Sequence, residues 1–421
     1  MKFLVAQIGA RRHYAVPLAF HQANMLERLV TDASGDIFPW SLVNRLPVSL
    51  RRGALERIAS RRTGLPIERI RGVFIFTLFV HLGPGRRKPG EDNISLWLRR
   101  NRQYSELVVR AGLSPAQAIY VFNGAGLEIL REAARSALFR VLDQTSAPMR
   151  WDARLLTEEA TRWPEWLSAA EHSGNWLPMA EREEEEWRLA ERIICGSSYV
   201  KDSVQAVGGP VDKCRVVPYG YAIDDESEVG GGDAGFGLIR PEPSAVTPRL
   251  PGKLRVLFAG TLSLRKGIPY LYEAIRLLKS ENIEWRFVGP STISPHGLAR
   301  LKGLGDVRGP VLRSGMPEHY RWADVLVLPS ISEGSANVCY EALGNGVSVI
   351  ATPNCGSVVQ DGINGFIVPI RSPEALAEKL ELLVRNPEML GIVSQSVKVW
   401  KNRHTGTNYA ENLVRAVADQ R

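Results

Sequence analysis

The feature that most constrains this chain is an alternation of strand-like and helix-like runs that occurs twice, broken once by a stretch with no period at all. The break is 224–251, "DDESEVGGGDAGFGLIRPEPSAVTPRLP", dense in Gly, Pro, Asp and Ser. Alternating runs of this kind predict parallel sheets with crossover helices, an α/β chain. A structureless stretch of that length is out of place inside a compact unit, so it reads as a linker or hinge. At 421 residues the chain has room for two or three folding units.

In the first series the strand candidates are 2–8, 72–80, 118–122, 137–143, 192–196 and 215–218, with amphipathic stretches at 18–30, 127–135 and 176–190. The second series runs "KLRVLFAG" (strand), "GIPYLYEAIRLLKS" (helix), "IEWRFVGP" (strand), "ADVLVLPS" (strand), "ANVCYEALGNG" (helix), "VSVIAT" (strand), "GFIVP" (strand) and "SPEALAEKLELLVRN" (helix). Ser372 is placed to cap the last of these, with Pro373 and Glu374 in its opening turn. A further amphipathic helix is expected over 405–417.

Composition excludes several classes. The longest apolar runs, "GVFIFTLFV" and "ADVLVLP", fall far short of the roughly 20 residues that cross a bilayer. The opening "MKFLVAQIGARRHYAVP" turns basic where a secretory leader would still be apolar, and it reads as a strand and its loop in a cytoplasmic protein. Four cysteines (Cys195, Cys214, Cys339, Cys355) form no CxxC pair and no zinc or disulfide framework. The net charge is +8, yet residues 1–110 hold 19 Lys and Arg against 8 Asp and Glu, so the surplus sits in the first quarter. Arg51, Arg52, Arg57, Arg61, Arg62, Arg69, Arg71, Arg86, Arg87, Lys88, Arg99, Arg100 and Arg102 make it a candidate surface for phosphate or anionic lipid. Aromatic residues there are too scattered for a base-stacking platform, so no specific nucleic acid is expected.

The first constellation with chemistry in it is "PSISEGSANVCYEALGNGVSVIAT". A strand runs into a small-residue turn and a helix opens near Ser335, so first-turn amides around Ser335, Ala336, Asn337 and Val338 lack intrahelical acceptors. That is the geometry of a diphosphate site. Glu333 stands at the mouth of the turn and Glu341 about two helical turns further in. Eight positions at about 1.5 Å each span roughly 12 Å, beyond the 5 to 9.5 Å of a glycosidase pair. The spacing suits two contacts on one extended ligand, Glu341 at a ribose and Glu333 at a hydroxylated group beyond the phosphates.

The second is "LFAGTLSLRKGIPYLYEAI", where Arg265 and Lys266 follow a strand and could neutralise a diphosphate and its developing charge. Neither this segment nor "IGARRHYAVP" carries GxGxxG, which disfavours a dinucleotide cofactor. Gly9 ends the first strand and allows a ligand near the backbone. Asp143 and Gln144 end a predicted strand, where polar groups face the crevice of an α/β unit. His13 and His21 show no metal-ligand pattern, and no metal site is expected.

These residues resemble family 4 of the retaining glycosyltransferases (glycosyl transferases group 1), which have the GT-B fold. The resemblance rests on the E-x7-E spacing of Glu333 and Glu341, on the block "EGSANVCYEALGNGVSVIATPNCGSVVQDGINGFIVP", on Lys266-Gly267 after "AGTLSLR", and on "ERIICGSSYVKDSV…DKCRVVPYGY". It covers the chain from about residue 191 onward. It implies two Rossmann-like domains facing each other across a cleft: an acceptor-binding domain over 1–235, a nucleotide-sugar-binding domain over 236–402, and a tail helix at 403–421 that returns to the first. It also implies that Glu341 holds the donor ribose and Glu333 the sugar, and that the amides of Gly334 to Val338 (Gly334, Ser335, Ala336, Asn337, Val338) take the phosphates. Arg265 and Lys266 would clamp the leaving group. Gly289, Val311 and Leu312 would hold the base, and Gly9 would close over the sugar.

Two departures stand out. Thr261 occupies the position after the strand-ending Gly where the family often has Arg, so Arg265 must supply the second cation. Asp143 and Gln144 stand where many members carry His, and Gln144 is the substitute sugar contact. The implied activity is metal-independent, retaining hexosyl transfer from a UDP- or GDP-sugar to a glycan or lipid-linked acceptor. It needs no cofactor beyond the nucleotide-sugar substrate, and it fits surface polysaccharide assembly with peripheral contact at the inner membrane face. Two other readings are open: a non-hydrolysing sugar-nucleotide epimerase of the same fold, and a basic nucleic-acid or membrane-surface binding module.

Overall fold

The computed structural model of the chain describes residues 1–43, 58, 61–81, 87–88, 90–168, 176–220, 252–312, 315–390, 393 and 406–419. The expected linker at 224–251 and Arg51, Arg52, Arg57 and Arg86 of the basic quarter lie outside the described residues.

Two parallel sheets organise the chain. The first holds β1 (Phe3–Gln7), β2 (Leu26–Thr31), β3 (Ile70–Gly72), β4 (Ala118–Phe122), β5 (Phe139–Gln144), β6 (Arg192–Cys195) and β7 (Cys214–Val216) in the order β3-β2-β1-β4-β5-β6-β7. The second holds β8 (Leu254–Ala259), β9 (Ile283–Val288), β10 (Asp306–Val307), β11 (Val325–Leu328), β12 (Ser348–Ala351) and β13 (Gly365–Ile367) in the order β10-β9-β8-β11-β12-β13. Every residue of β1, β4, β8 and β11 is buried. Continuous apolar strands covered on both faces are what parallel sheets require. In each sheet the strand order reverses once, between β1 and β4 and between β8 and β11. At such a switch point the loops leave in opposite directions and open a crevice at the carboxyl ends of the strands.

Around the first sheet lie α1 (Ala15–Gln22), α2 (Phe74–His81), α3 (Asn93–Arg110), α4 (Leu127–Arg135), α5 (Met149–Arg162), α6 (Leu177–Leu189) and α7 (Ser198–Ala206). Around the second lie α8 (Ile268–Leu277), α9 (Pro295–Lys302), α10 (Met316–Trp322), α11 (Asn337–Gly344) and α12 (Pro373–Arg385). Ser372 caps α12 as its sequence predicts, its Oγ accepting from the Ala375 N–H at 3.2 Å. The last helix, α13 (Gly406–Ala418), packs on α1 of the first unit, and Tyr409, Leu413 and Val417 share a core with Phe3, Val16 and Phe20.

Two expectations are corrected. The run 72–80 is not a strand: only Ile70–Gly72 pairs in the sheet, and Phe74–His81 is helical, with Ile75 66% exposed beside Phe76 at 4%. A short apolar run carries no period that separates strand from buried helix. The stretch 18–30 divides into α1 and β2, because the chain turns at Asn24 with a positive φ of 54°.

The units meet through α5 and the segment after it. Arg371 of the second unit bonds Glu158 at 2.8 Å and the fully buried Glu159 at 2.6 Å, and the Tyr270 hydroxyl donates to Glu159 at 2.6 Å. The Ser294 N–H donates to the Trp166 carbonyl at 2.9 Å, and the Trp166 ring covers Gly297. Stripping the partner from a buried carboxylate costs about 3–5 kcal/mol, so these contacts specify how the sheets face each other.

Candidate active site

Both switch points open into one cavity of about 1110 Å³ between the units. From the second unit its wall is built by the turn after β8 (Thr261 to Lys266) and the turn after β11 (Glu333 to Asn337), the two strands that flank the reversal. From the first unit it takes Arg11 and Arg12 after β1, Thr145 and Ser146 after β5, and one face of α5.

Lys266 reaches past Gly260 and forms an ion pair with Glu333, whose carboxylate also accepts from the Ser330 hydroxyl at 3.2 Å. Arg265 donates from Nε to the Ser332 carbonyl at 3.0 Å and pairs through Nη2 with Asp152 of the first unit at 3.0 Å. Burial pulls the Arg265 guanidinium down, but the Asp152 and Glu333 carboxylates outweigh it and hold its pKa above the usual value. Burial pushes the Asp152 carboxyl up, with Arg265 opposing. Gly267 closes this turn at φ 70°, where an added Cβ would lie 2.0 Å from the Pro329 carbonyl oxygen.

Opposite, the entry to α11 is gripped by the first unit. The Ser197 hydroxyl donates to the Gly334 carbonyl at 2.5 Å, and the Ala147 N–H donates to the Glu333 carbonyl at 3.3 Å. A Cβ on Gly334 would lie 1.8 Å from the Thr145 carbonyl oxygen, so only glycine lets the units approach this closely. α11 begins without a side-chain cap.

Known structures share this architecture. Structures that cover 99% of the chain include the Anabaena protein HepE in complex with UDP and glucose (14% identity, TM-score 0.61, 99% of that chain) and sucrose-phosphate synthase from Thermosynechococcus elongatus (15%, 0.62, 98%). The fold is GT-B. Residues 253–386 of this GT-B chain match the family described as Glycosyl transferases group 1. Curated relatives include the D-inositol 3-phosphate glycosyltransferases of Streptomyces coelicolor (34% identical over 236 residues, 48% of this chain and 52% of that protein) and Xylanimonas cellulosilytica (29% over 204 residues, 44% and 46%). The chain spans about half the length of the curated relatives it matches.

Within the GT-B cleft the expected residues divide. Thr261, Arg265, Lys266, Glu333, Gly334, Ser335 and Asn337 line the cavity together. Ala336 drops out of the expected set of phosphate-binding amides, because its N–H donates to the Cys355 carbonyl at 3.0 Å. Val338 and Glu341 lie further along α11, off the lining. Glu341 there accepts from the buried Tyr320 hydroxyl at 2.7 Å. Gly289, at the end of β9, donates its N–H to the Gly309 carbonyl at 2.8 Å, and beyond it Val311 is partly buried while Leu312 is 62% exposed. Gly9 takes φ 70° after β1 and donates to Asp32 at 2.7 Å, just behind Arg11.

Asp143 and Gln144 are fully buried and lie behind the wall rather than on it. Asp143 binds Arg12 at 2.6 Å and accepts from the Tyr120 hydroxyl. Gln144 donates from its amide to Glu183 at 2.7 Å and to the Ser146 carbonyl at 3.0 Å, and its oxygen accepts from Trp187 at 2.8 Å, so both of its N–H donors are used within the first unit. Of the basic residues expected to form a surface in the first quarter, several are ion-paired: Arg61 with Asp32 at 3.0 Å, Arg62 with Asp36 at 3.3 Å, Arg99 with Glu91 at 2.8 Å and Arg102 with Glu106 at 2.9 Å. Among the described residues no helix is long and apolar enough to cross a membrane.

Proposed function

We propose that this chain is a retaining, metal-independent glycosyltransferase of family 4, moving a hexose from a UDP- or GDP-sugar to a glycan or lipid-linked acceptor. The observation that carries this reading is that Arg265 and Lys266 share one cavity with the opening of α11, at the switch point of the second sheet. Two cations and a helix opening at one crevice are what a diphosphate leaving group calls for. The similarity to D-inositol 3-phosphate glycosyltransferases over about half their length supports it, as does a neighbour of the same fold that binds UDP and glucose.

In this reading the diphosphate displaces Glu333 from Lys266 and Asp152 from Arg265. The bond from the anomeric carbon to the β-phosphate oxygen breaks, and its electron pair stays on the phosphate, where both cations meet the growing charge. The acceptor oxygen bonds the anomeric carbon on the same face, and its proton passes to the departing phosphate. Glu333, released from Lys266, takes sugar hydroxyls, and Glu341, aligned by Tyr320, takes the ribose. The acceptor belongs to surface polysaccharide assembly, met at the inner face of the membrane.

A thermal-shift panel of UDP, GDP, ADP and their common sugars, followed by turnover with the stabilising donor, tests this. One nucleotide family should raise the melting temperature and its sugar should be transferred. Stabilisation by none of them, or isomerisation of the donor without transfer, would overturn it.

A further inference from the structure

Four cations line the cavity, and three of them already have a carboxylate. Arg12 has Asp143 at 2.6 Å, Arg265 has Asp152 at 3.0 Å, and Lys266 has Glu333. The fourth, Arg11, has no hydrogen-bond or ion-pair partner among the described residues. Asp143, the carboxylate that acts on it most strongly, is bonded elsewhere: one oxygen accepts from Arg12 and the other from Tyr120. The Arg11 guanidinium instead lies over the Phe122 ring at 5.2 Å, with burial lowering its pKa. Arg11 is only partly buried and opens onto the cavity, so its donors face the space a ligand would fill, and a charged group there meets an oxyanion in a setting where a charge-assisted hydrogen bond is strong.

The backbone holds it there deliberately. Arg12, His13 and Tyr14 all adopt left-handed φ values (48°, 51° and 62°), a conformation non-glycine residues keep only when surroundings impose it. The imposing contacts belong to Arg12, which bonds Asp143, the Tyr219 hydroxyl at 2.7 Å and the Tyr409 hydroxyl of α13 at 2.8 Å. Arg12 anchors the loop and Arg11 is presented at the switch point of the first sheet, where α/β units bind ligands. The rest of the first unit's wall is neutral, with hydroxyls from Thr145, Ser146, Thr157 and Thr161 and the Trp176 ring. That wall suits a polyol carrying one oxyanion.

We propose that Arg11 is the anion-recognition residue of the acceptor half of the cleft, so that the acceptor carries a phosphate or carboxylate near the hydroxyl that receives the sugar. This rests on the glycosyltransferase reading for its assignment to the acceptor. The donor diphosphate has its own cations on the opposite wall. A planar fork of donors fits either oxyanion in two parallel hydrogen bonds.

Calorimetry on the full chain, with and without the nucleotide found in the thermal-shift panel, tests the proposal using glucose 6-phosphate, glucuronate, inorganic phosphate and neutral glucose. At least one anion should bind about tenfold or more tighter than glucose, the worth of a hydrogen bond to a charged group. Arg11→Gln should abolish that preference and Arg11→Lys retain part of it, with nucleotide affinity within about threefold of the parent in both. Arms with phosphate alone and with glucuronate separate the two oxyanions. Equal binding of glucose, no anion binding, or a preference that survives Arg11→Gln would overturn the proposal. A parallel loss of nucleotide affinity would also overturn it, by placing Arg11 on the donor. Failure of every nucleotide to bind would sink the glycosyltransferase reading alone, since the nucleotide-free arms still report on Arg11.

Discussion

Arg265 of the second unit and Asp152 of the first are bonded across the cleft, Nη2 to Oδ2 at 3.0 Å, so a carboxylate occupies the guanidinium that a diphosphate would need. The same Asp152 accepts from the Ser332 hydroxyl, tying the turn after β11 to α5. A nucleotide entering this cleft competes with the first unit for the second unit's cation. Asp152→Asn should therefore tighten nucleoside diphosphate binding by about fivefold, the roughly 1 kcal/mol that a partly exposed ion pair is worth. Titration calorimetry checks this, and weaker binding would mean that Asp152 aligns Arg265 instead of competing for it.

Lys266 pairs with Glu333 in the cleft, and the proposed function puts it at the leaving group. Lys266→Ala should lower kcat by about 10²-fold or more with a smaller change in the donor KM, because the charge it meets grows in the transition state. Steady-state kinetics with the donor varied separates the two. A change confined to KM would assign Lys266 to binding alone.

Tyr320→Phe removes one hydroxyl that donates to Glu341 at 2.7 Å. The donor KM should rise about tenfold with kcat within about twofold of the parent, as expected for loss of a hydrogen bond to a charged group away from the reacting bond. Equal loss in the Tyr320→Phe and Glu341→Ala variants would show that the two act as a unit. An unchanged KM in both would remove Glu341 from the donor site.

Gly334 is pressed against the Thr145 carbonyl. Gly334→Ala should hold the units apart and cut turnover by about 10²-fold, the cost of misplacing reacting groups by an ångström, while leaving binding of the free nucleotide nearly intact. Small-angle scattering should show the opening, and full activity would mean that the units need not close this far.

Burial raises the Glu183 and Glu186 carboxyls to about 7 each, against hydrogen bonds that favour their ionised forms. The folded chain then keeps protons that the unfolded chain has lost above its carboxylate pKa near 4.5. Stability from these groups is fully present below that value and is lost as pH rises to about 7. The parent should fall in melting temperature relative to Glu183→Gln across that window, measured by calorimetry from pH 4.5 to 8. A relative rise would contradict the sign.

Much of the second unit was legible because its strands are short, rich in apolar residues and punctuated. β8, β9, β11 and β12 fall where the alternation puts them, and the cap at Ser372 forms as expected. The cation pair and the opening of α11 could be read too, since each sits next to a strand end in sequence. Asp152, Arg12 and Ser197 could not. Their partners Ser332, Tyr409 and Gly334 are 180, 397 and 137 residues away, and nothing local marks an aspartate inside an amphipathic helix as the mate of a distant arginine. The run at 72–80 reads as a strand for a different reason: so short an apolar stretch carries no period that tells the strand Ile70–Gly72 from the helix Phe74–His81 that follows it.

The most direct measurement is the affinity of the chain for UDP, GDP and ADP by titration calorimetry, compared with a variant lacking both Arg265 and Lys266. One nucleotide should bind the parent and lose about a hundredfold or more in the double variant, as removal of two charge-assisted contacts requires. Binding that is absent in the parent, or unchanged when both cations are removed, would contradict the account.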